Sequence, residues 1–260
     1  MTYDIFNDKF LQYLFTSDMF QHLSQVEQQA FLQYFANDEQ FIRIMNVALA
    51  FQEEIAEVET MVPILFEGSE IPAINTSEVR KATLKDQVVI EDNVCFVPFQ
   101  TEVDLAAPLI IALDCSESMQ TLEDLAKGLI IPCFNLCAQQ KRDCIVLPFS
   151  ETTKQPIVFT HGKLHIQNMN ELIHLKMCNR ANLLPVFKQA LALFDMYNAK
   201  QDAELMLVTT NYFDDYVDSN TSSYIRQLKN HNVELSLIAL NEQQFNEEPL
   251  DFIDKVFFCS

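Results

Sequence analysis

Glycine is nearly missing from this sequence, which holds only Gly68, Gly128 and Gly162. Phosphate-binding loops of the GxGxxG or GxxxxGK kind need several glycines close together, because only a residue without a Cβ lets the backbone close around a phosphate. Both kinds are therefore excluded. The GxSxG turn of many hydrolases is missing too, since Cys115-Ser116-Glu117 has no flanking glycine. Positive charge is scarce: 17 Lys and Arg stand against 37 Asp and Glu, a net charge of -20. Such a chain repels nucleic acid and anionic lipid unless a basic patch offsets the field, and no such patch is visible. The field suits a basic protein partner or a bound cation, and it also serves plain solubility. No apolar run approaches the roughly 18 residues of a membrane span. The acidic N-terminus has neither the charge nor the apolar core of a secretory signal, so a cytoplasmic location is the simplest expectation.

Cysteines occur at 95, 115, 133, 137, 144, 178 and 259, without a CxxC pair. Cys133 and Cys137 lie one helical turn apart, but no second pair completes a zinc site. Cys95, Cys133 and Cys144 sit inside apolar runs, as small hydrophobes do in reduced proteins. Five histidines, at 22, 161, 165, 174 and 231, complete the candidate bases and ligands. His161 and His165 have the spacing of a helical ligand pair, but Gly162 between them favours an exposed loop. No catalytic constellation emerges, and the expectation is a protein that is not an enzyme.

With 260 residues and 49% hydrophobic content, the chain can bury a full core. Residues 17–35 repeat apolar side chains (Met19, Phe20, Leu23, Val26, Ala30, Phe31, Tyr34, Phe35) at spacings of three and four, with Ser17 or Asp18 placed to cap a helix. Phe41, Ile44, Met45, Ala48, Phe51, Ile55 and Val58 form a second stripe, ended by Pro63, while Glu53, Glu54, Glu57 and Glu59 fall mainly on the other side. That acidic side is either a solvated face or a dock for a basic partner. The density of Phe predicts that these helices pack on each other and on the C-terminal domain. Residues 1–66 thus form a helical N-terminal region. Residues 67–105, with Gly68, Pro72 and Asn75-Thr76-Ser77, look like a linker. It carries short β-like runs at 88–90 and 94–99 that either form an edge hairpin or cover the core.

From 106 to 260 strands and helices alternate: strands at 109–113, 144–149, 157–159, 204–209, 233–240 and 256–258, and helices at 121–140, 166–175, 185–197 and 222–230, with a last short helix before the final strand. Alternation of this kind predicts an α/β fold, a doubly wound, mostly parallel sheet flanked by helices. The pivotal stretch is Pro108 to Met119, PLIIALDCSESM. Its apolar run stops at oxygen-bearing residues, as a buried parallel strand does on leaving the sheet. Open α/β sheets bind ligands at that edge. Asp114, Ser116 and Ser118 alternate, so their oxygens can converge on a hard cation.

Asp114-Cys115-Ser116-Glu117-Ser118-Met119 resembles the DxSxSM signature of von Willebrand factor A (VWA) domains, which bind Mg²⁺ at a metal-ion-dependent adhesion site on a doubly wound, Rossmann-like sheet. The resemblance runs through Leu147-Pro148-Phe149-Ser150 and the strands at 204–209 and 233–240, covering about 106–260. With helices in front, the layout is most similar to bacterial VWA proteins of the CoxE and ViaA type, which work with MoxR-type AAA+ ATPases. The resemblance implies a non-enzymatic adaptor or cofactor of such an ATPase that binds protein partners through the top face of the sheet. Mg²⁺, which takes octahedral oxygen coordination at about 2.0–2.1 Å, would be held by Asp114, Ser116 and Ser118. The match weakens elsewhere. Asn179-Arg180-Ala181-Asn182-Leu183 puts Ala181 where the family has a metal-binding Thr, with Asn182 beside it. Val208-Thr209-Thr210-Asn211 puts Thr210 where it has an acid. Thr210, Asn182, and Asp214 or Asp215 are the possible substitutes, and Arg180 would oppose a cation. Two other readings stand: a metal-free scaffold in which Asp114 and the serines form a hydrogen-bonded strand-end turn, and a metal-dependent hydrolase using Asp214, Asp215 and Asp218 with Asp114.

Overall fold

The computed structural model describes residues 8–57, 90–91, 94–95, 107–197, 203–210, 219–240 and 252–259. The helices are α1 (Asp8–Thr16), α2 (Asp18–Gln21), α3 (Gln25–Phe35), α4 (Glu39–Glu57), α5 (Glu123–Gln140), α6 (Ile166–Ile173), α7 (Leu183–Met196) and α8 (Ser219–Asn230). The strands are β1 (Ile90–Glu91), β2 (Val94–Cys95), β3 (Leu109–Asp114), β4 (Cys144–Phe149), β5 (Ile157–Phe159), β6 (Glu204–Thr209), β7 (Glu234–Ala239) and β8 (Lys255–Phe258). β1 and β2 pair antiparallel as a two-stranded unit of their own. The other six make one sheet in the order β5-β4-β3-β6-β7-β8, parallel except for the antiparallel β4–β5 pair.

All six residues of β3 are buried. Because side chains alternate across a strand, Leu109, Ile111 and Leu113 enter one core, while Ile110 and Ala112 enter the other. The first core receives α5 and the N-terminal helices; the second receives α7 and α8. The sheet is therefore covered on both faces, as the alternation of elements predicts. β3 lies between β4 and β6, so the chain winds away from it in both directions, and its C-terminal end is the switch point at which such sheets take ligands.

α5 explains how the N-terminal region attaches. Its sequence, EDLAKGLIIPCFNLCAQQ, buries residues around most of its circumference. A helix apolar on all sides must be covered on all sides. The sheet covers one side, and α4 and α2 cover the other. Phe10, Phe31, Phe35 and Phe41 form an aromatic cluster there, with Phe35 and Phe41 stacked at 4.4 Å. Polar ties fix the dock: Arg43 to Asp124 at 2.6 Å, Gln40 to Glu123 at 2.6 Å, and the Leu164 N–H to the Met19 carbonyl at 2.9 Å. The helices thus pack on each other and on the α/β part, as expected.

The structure corrects the first helix. Residues 17–35 are not continuous: α2 ends at Gln21, and Ser24 starts α3 with a capping box, its hydroxyl accepting from the Glu27 N–H while Glu27 accepts from the Ser24 N–H. Two reciprocal bonds at a helix start outweigh an apolar period running past it. The Ser17 hydroxyl caps nothing and donates to the Leu14 carbonyl instead. Val26 and Tyr34, which the apolar period assigns to the buried stripe, are 76% and 54% exposed. The helix expected before the last strand, the end of the second stripe and most of 67–105 lie outside the described residues.

Gly128 sets the α4–α5 distance. A Cβ built there would sit 2.5 Å from Val47 Cγ1 and 2.9 Å from the Ile44 carbonyl oxygen. Gly128→Ala is expected to lower stability by about 1–3 kcal/mol, read by urea unfolding, with α4 amides losing hydrogen-exchange protection before those of β3. Equal stability of the variant and parent would disprove the close approach.

Candidate functional site

Main-chain bonds fix the segment C-terminal to β3. The Cys115 N–H donates to the Phe149 carbonyl at 2.7 Å, and the Cys115 carbonyl accepts from the Cys178 N–H at 2.7 Å. The Glu117 N–H donates to the Asn179 carbonyl at 2.9 Å, and the Asn182 N–H to the Ser150 carbonyl at 2.8 Å. These bonds lay residues 178–182 against 115–117. Asn179 adopts a left-handed φ of 66°, which asparagine tolerates better than most residues.

The oxygens meet as the sequence suggests. Asp114, buried, accepts the Ser116 N–H on Oδ1 at 2.8 Å and the Thr209 hydroxyl on Oδ2 at 2.7 Å. Ser116 Oγ and Ser118 Oγ share a hydrogen bond of 2.9 Å, and the Thr210 hydroxyl donates to Ser118 Oγ at 3.1 Å. Asp114, Ser116, Ser118 and Thr210 therefore form one cluster. Thr209 belongs to it as well, a member that reading the sequence misses. The available signal is its position as the last residue of the strand beside β3, in line with the end of the motif.

Asn182 does not join. Its side chain accepts from the Leu184 N–H at 3.1 Å and caps α7, the usual task of an Asn before a helix. Asp214, Asp215 and Asp218 lie outside the described residues. His161 sits in a tight turn with φ 51°, and the His165 ring meets His22 at 5.5 Å, so the two spaced histidines are no ligand pair. Cys115 points inward, its thiol pushed up to about 12 chiefly by burial, which makes it inert. Cys133, Cys137 and Cys144 are likewise buried and free.

A cavity of about 300 Å³ opens over the cluster, lined by Asp114, Ser116, Glu117, Ser118, Asn179, Arg180 and Ala181. Its donor set does not fit Mg²⁺ well. Both Asp114 oxygens already accept hydrogen bonds, the hydroxyls bond one another, and Arg180 lines the same cavity. Among the described residues no group of three or more His, Cys, Asp or Glu side chains could hold a metal ion, so a cation here would rely on the Ser and Thr hydroxyls beside Asp114. The cluster is held together by its own hydrogen bonds.

Burial raises the Asp114 carboxyl above its ordinary value; the Thr209 hydroxyl and the Ser116 hydroxyl and N–H favour the ionised form and offset this only in part. With the folded value above the unfolded one, the group favours folding while protonated, and that contribution is lost as pH rises from the ordinary carboxylate range through the raised value. Asp114→Asn keeps an acceptor for Ser116 and cannot ionise. The variant is expected to gain stability relative to the parent as pH goes from about 4 to 7, measured by urea unfolding across that range. A difference that stays flat would show that Asp114 ionises without cost.

No protein family and no curated protein matches this sequence. Among solved structures, the chain is similar to a von Willebrand factor type A protein from Catenulispora acidiphila, at 14% identity and a TM-score of 0.44, over 60% of this chain and 39% of that one. It is similar to the SpRpn10 VWA domain at 14% identity and a TM-score of 0.39, over 59% of this chain and 88% of the other. It is also similar to a manganese-loaded Plasmodium vivax TRAP protein at 13% identity and a TM-score of 0.42, over 58% and 68%. The chain thus spans about two fifths of the Catenulispora protein. Likeness at this level concerns the fold, and the α/β architecture itself rests on the strand order and two-sided cover of this chain's own sheet.

Proposed function

We propose that this chain is a non-enzymatic protein-binding module that engages its partner through the C-terminal edge of the sheet, over the Asp114 cluster. The observation that carries this reading is the open, hydroxyl-lined cavity at the switch point beside β3. The favoured partner, on the resemblance of the chain's layout, is a MoxR-type AAA+ ATPase for which it acts as an adaptor or substrate-recruiting cofactor. The helical region supports that layout and adds a second surface. The alternative is a scaffold that has lost its metal site altogether, and the hydrogen bonds that Asp114 already accepts favour it. The hydrolase reading depends on Asp214, Asp215 and Asp218, and no described base converges on Asp114.

The partner test is capture of a purified MoxR-type ATPase by this protein in the presence of ATP and Mg²⁺. Capture is expected, and Ser118→Tyr, which fills the mouth of the cavity, is expected to weaken it at least about tenfold. Capture unaffected by Ser118→Tyr would move the interface elsewhere; no capture at all would count against the ATPase.

A further inference from the structure

We propose that His22 and His165 form an acid-sensitive latch between the N-terminal helices and the α/β part. When the pair takes up protons, like charge at their contact frees residues 163–165 from the end of α2 and widens the groove beside α3. That groove shares no lining residue with the cavity over Asp114, so the latch stands independently of the partner reading.

His22 ends α2 and His165 precedes α6, and their rings meet edge to face with centroids 5.5 Å apart. Both ring nitrogens of His22 are buried and have no hydrogen-bond partner among the described residues. A neutral imidazole bears this at modest cost, whereas an imidazolium would bury two charged N–H donors unmet. Beside the pair, the Leu164 N–H donates to the Met19 carbonyl at 2.9 Å, the bond that ties this segment to α2. The groove, of about 400 Å³, has Leu23, Glu27 and Phe31 on one side and Leu164, His165 and Ile166 on the other. None of its lining residues belongs to α4 or α5, so the segment can part from α2 while those two helices stay packed.

The charged groups around the pair are Lys163 on the same segment and Glu27 on α3. Bonds from the Ser24 hydroxyl and N–H keep Glu27 ionised. Once both imidazoles are protonated, His22, His165 and Lys163 are three cations against that one carboxylate. Burial lowers the His22 value below that of an ordinary imidazole, and Lys163 and His165 act in the same direction; Glu27 and the nearby Met19 carbonyl offset this only in part. The closed latch therefore favours neutral His22. Its contribution is complete above the ordinary imidazole value of about 6.5 and is lost as pH falls from there toward the lowered value. An imidazolium at His174, 3.6 Å from Asp38, would tighten the contact of the N-terminal helices with α6, so loosening in acid has the opposite sign to that pair.

The test is amide hydrogen exchange of the full ¹⁵N-labelled chain from about pH 7.5 to about 5, across the imidazole range. Protection factors, corrected for the intrinsic pH dependence of exchange, are expected to fall several-fold at Leu164 while those of Ile111 in β3 hold. His22→Phe keeps a ring at the contact that cannot charge, and should abolish the fall. Lys163→Gln removes a neighbouring cation; it should raise the pH at which the His22 ring nitrogens titrate and shrink the fall at Leu164, and it carries the test should His22→Phe not fold. A His22 ring that titrates at or above the ordinary value would overturn the proposal. So would constant protection at Leu164 through that titration, a fall that survives His22→Phe, or a His22 titration unmoved by Lys163→Gln.

Discussion

One buried carboxylate governs the upper edge of this sheet. Asp114 ends a strand sealed on both faces, so its charge has no water to meet and must be met by the protein. The Ser116 N–H turns the chain back over the carboxylate, and the Thr209 hydroxyl reaches it from the neighbouring strand. The same two bonds that satisfy the charge therefore set the direction in which Ser116 and Ser118 leave the sheet. The two hydroxyls then bond each other and hold Thr210. Shape at the cavity floor is a by-product of satisfying one anion.

Much of this is legible in the residues, and the limits have physical causes. Apolar runs such as LIIAL and CIVLPF declare buried strands, because a polar side chain at those positions would need a partner inside the core. The oxygens at the end of the first run mark the candidate edge. The break between α2 and α3 is harder to read, because the apolar period continues across it and only the Ser24 and Glu27 pairing decides otherwise. Thr209 escapes notice because its role exists only across a strand pair. Asn182 misleads for the opposite reason: a local task, capping α7, uses the oxygen that a longer-range alignment assigns to a metal.

Charge in the interior follows a similar economy. Lys127, with no exposed surface, places its ammonium against Glu123 and the carbonyls of Ile173 and Leu175, joining α5 to the end of α6. Its burial pushes its pKa down, and Glu123 opposes this. Arg142, also buried, meets Glu204 at 2.9 Å at the far end of the sheet. Each of these two internal cations has a named anion, Glu123 for Lys127 and Glu204 for Arg142.

The close approach at Gly128 reaches beyond the two helices that make it. α5 is a shared wall between the sheet and the N-terminal helices, and its outer side is built for Val47 and the Phe cluster rather than for solvent. The two portions are inseparable in the way two halves of a bearing are: remove the helices and the α/β portion is left with a greasy flank that would stick to its own kind. Shuffling of this module between proteins, by recombination or by design, should therefore carry both portions together.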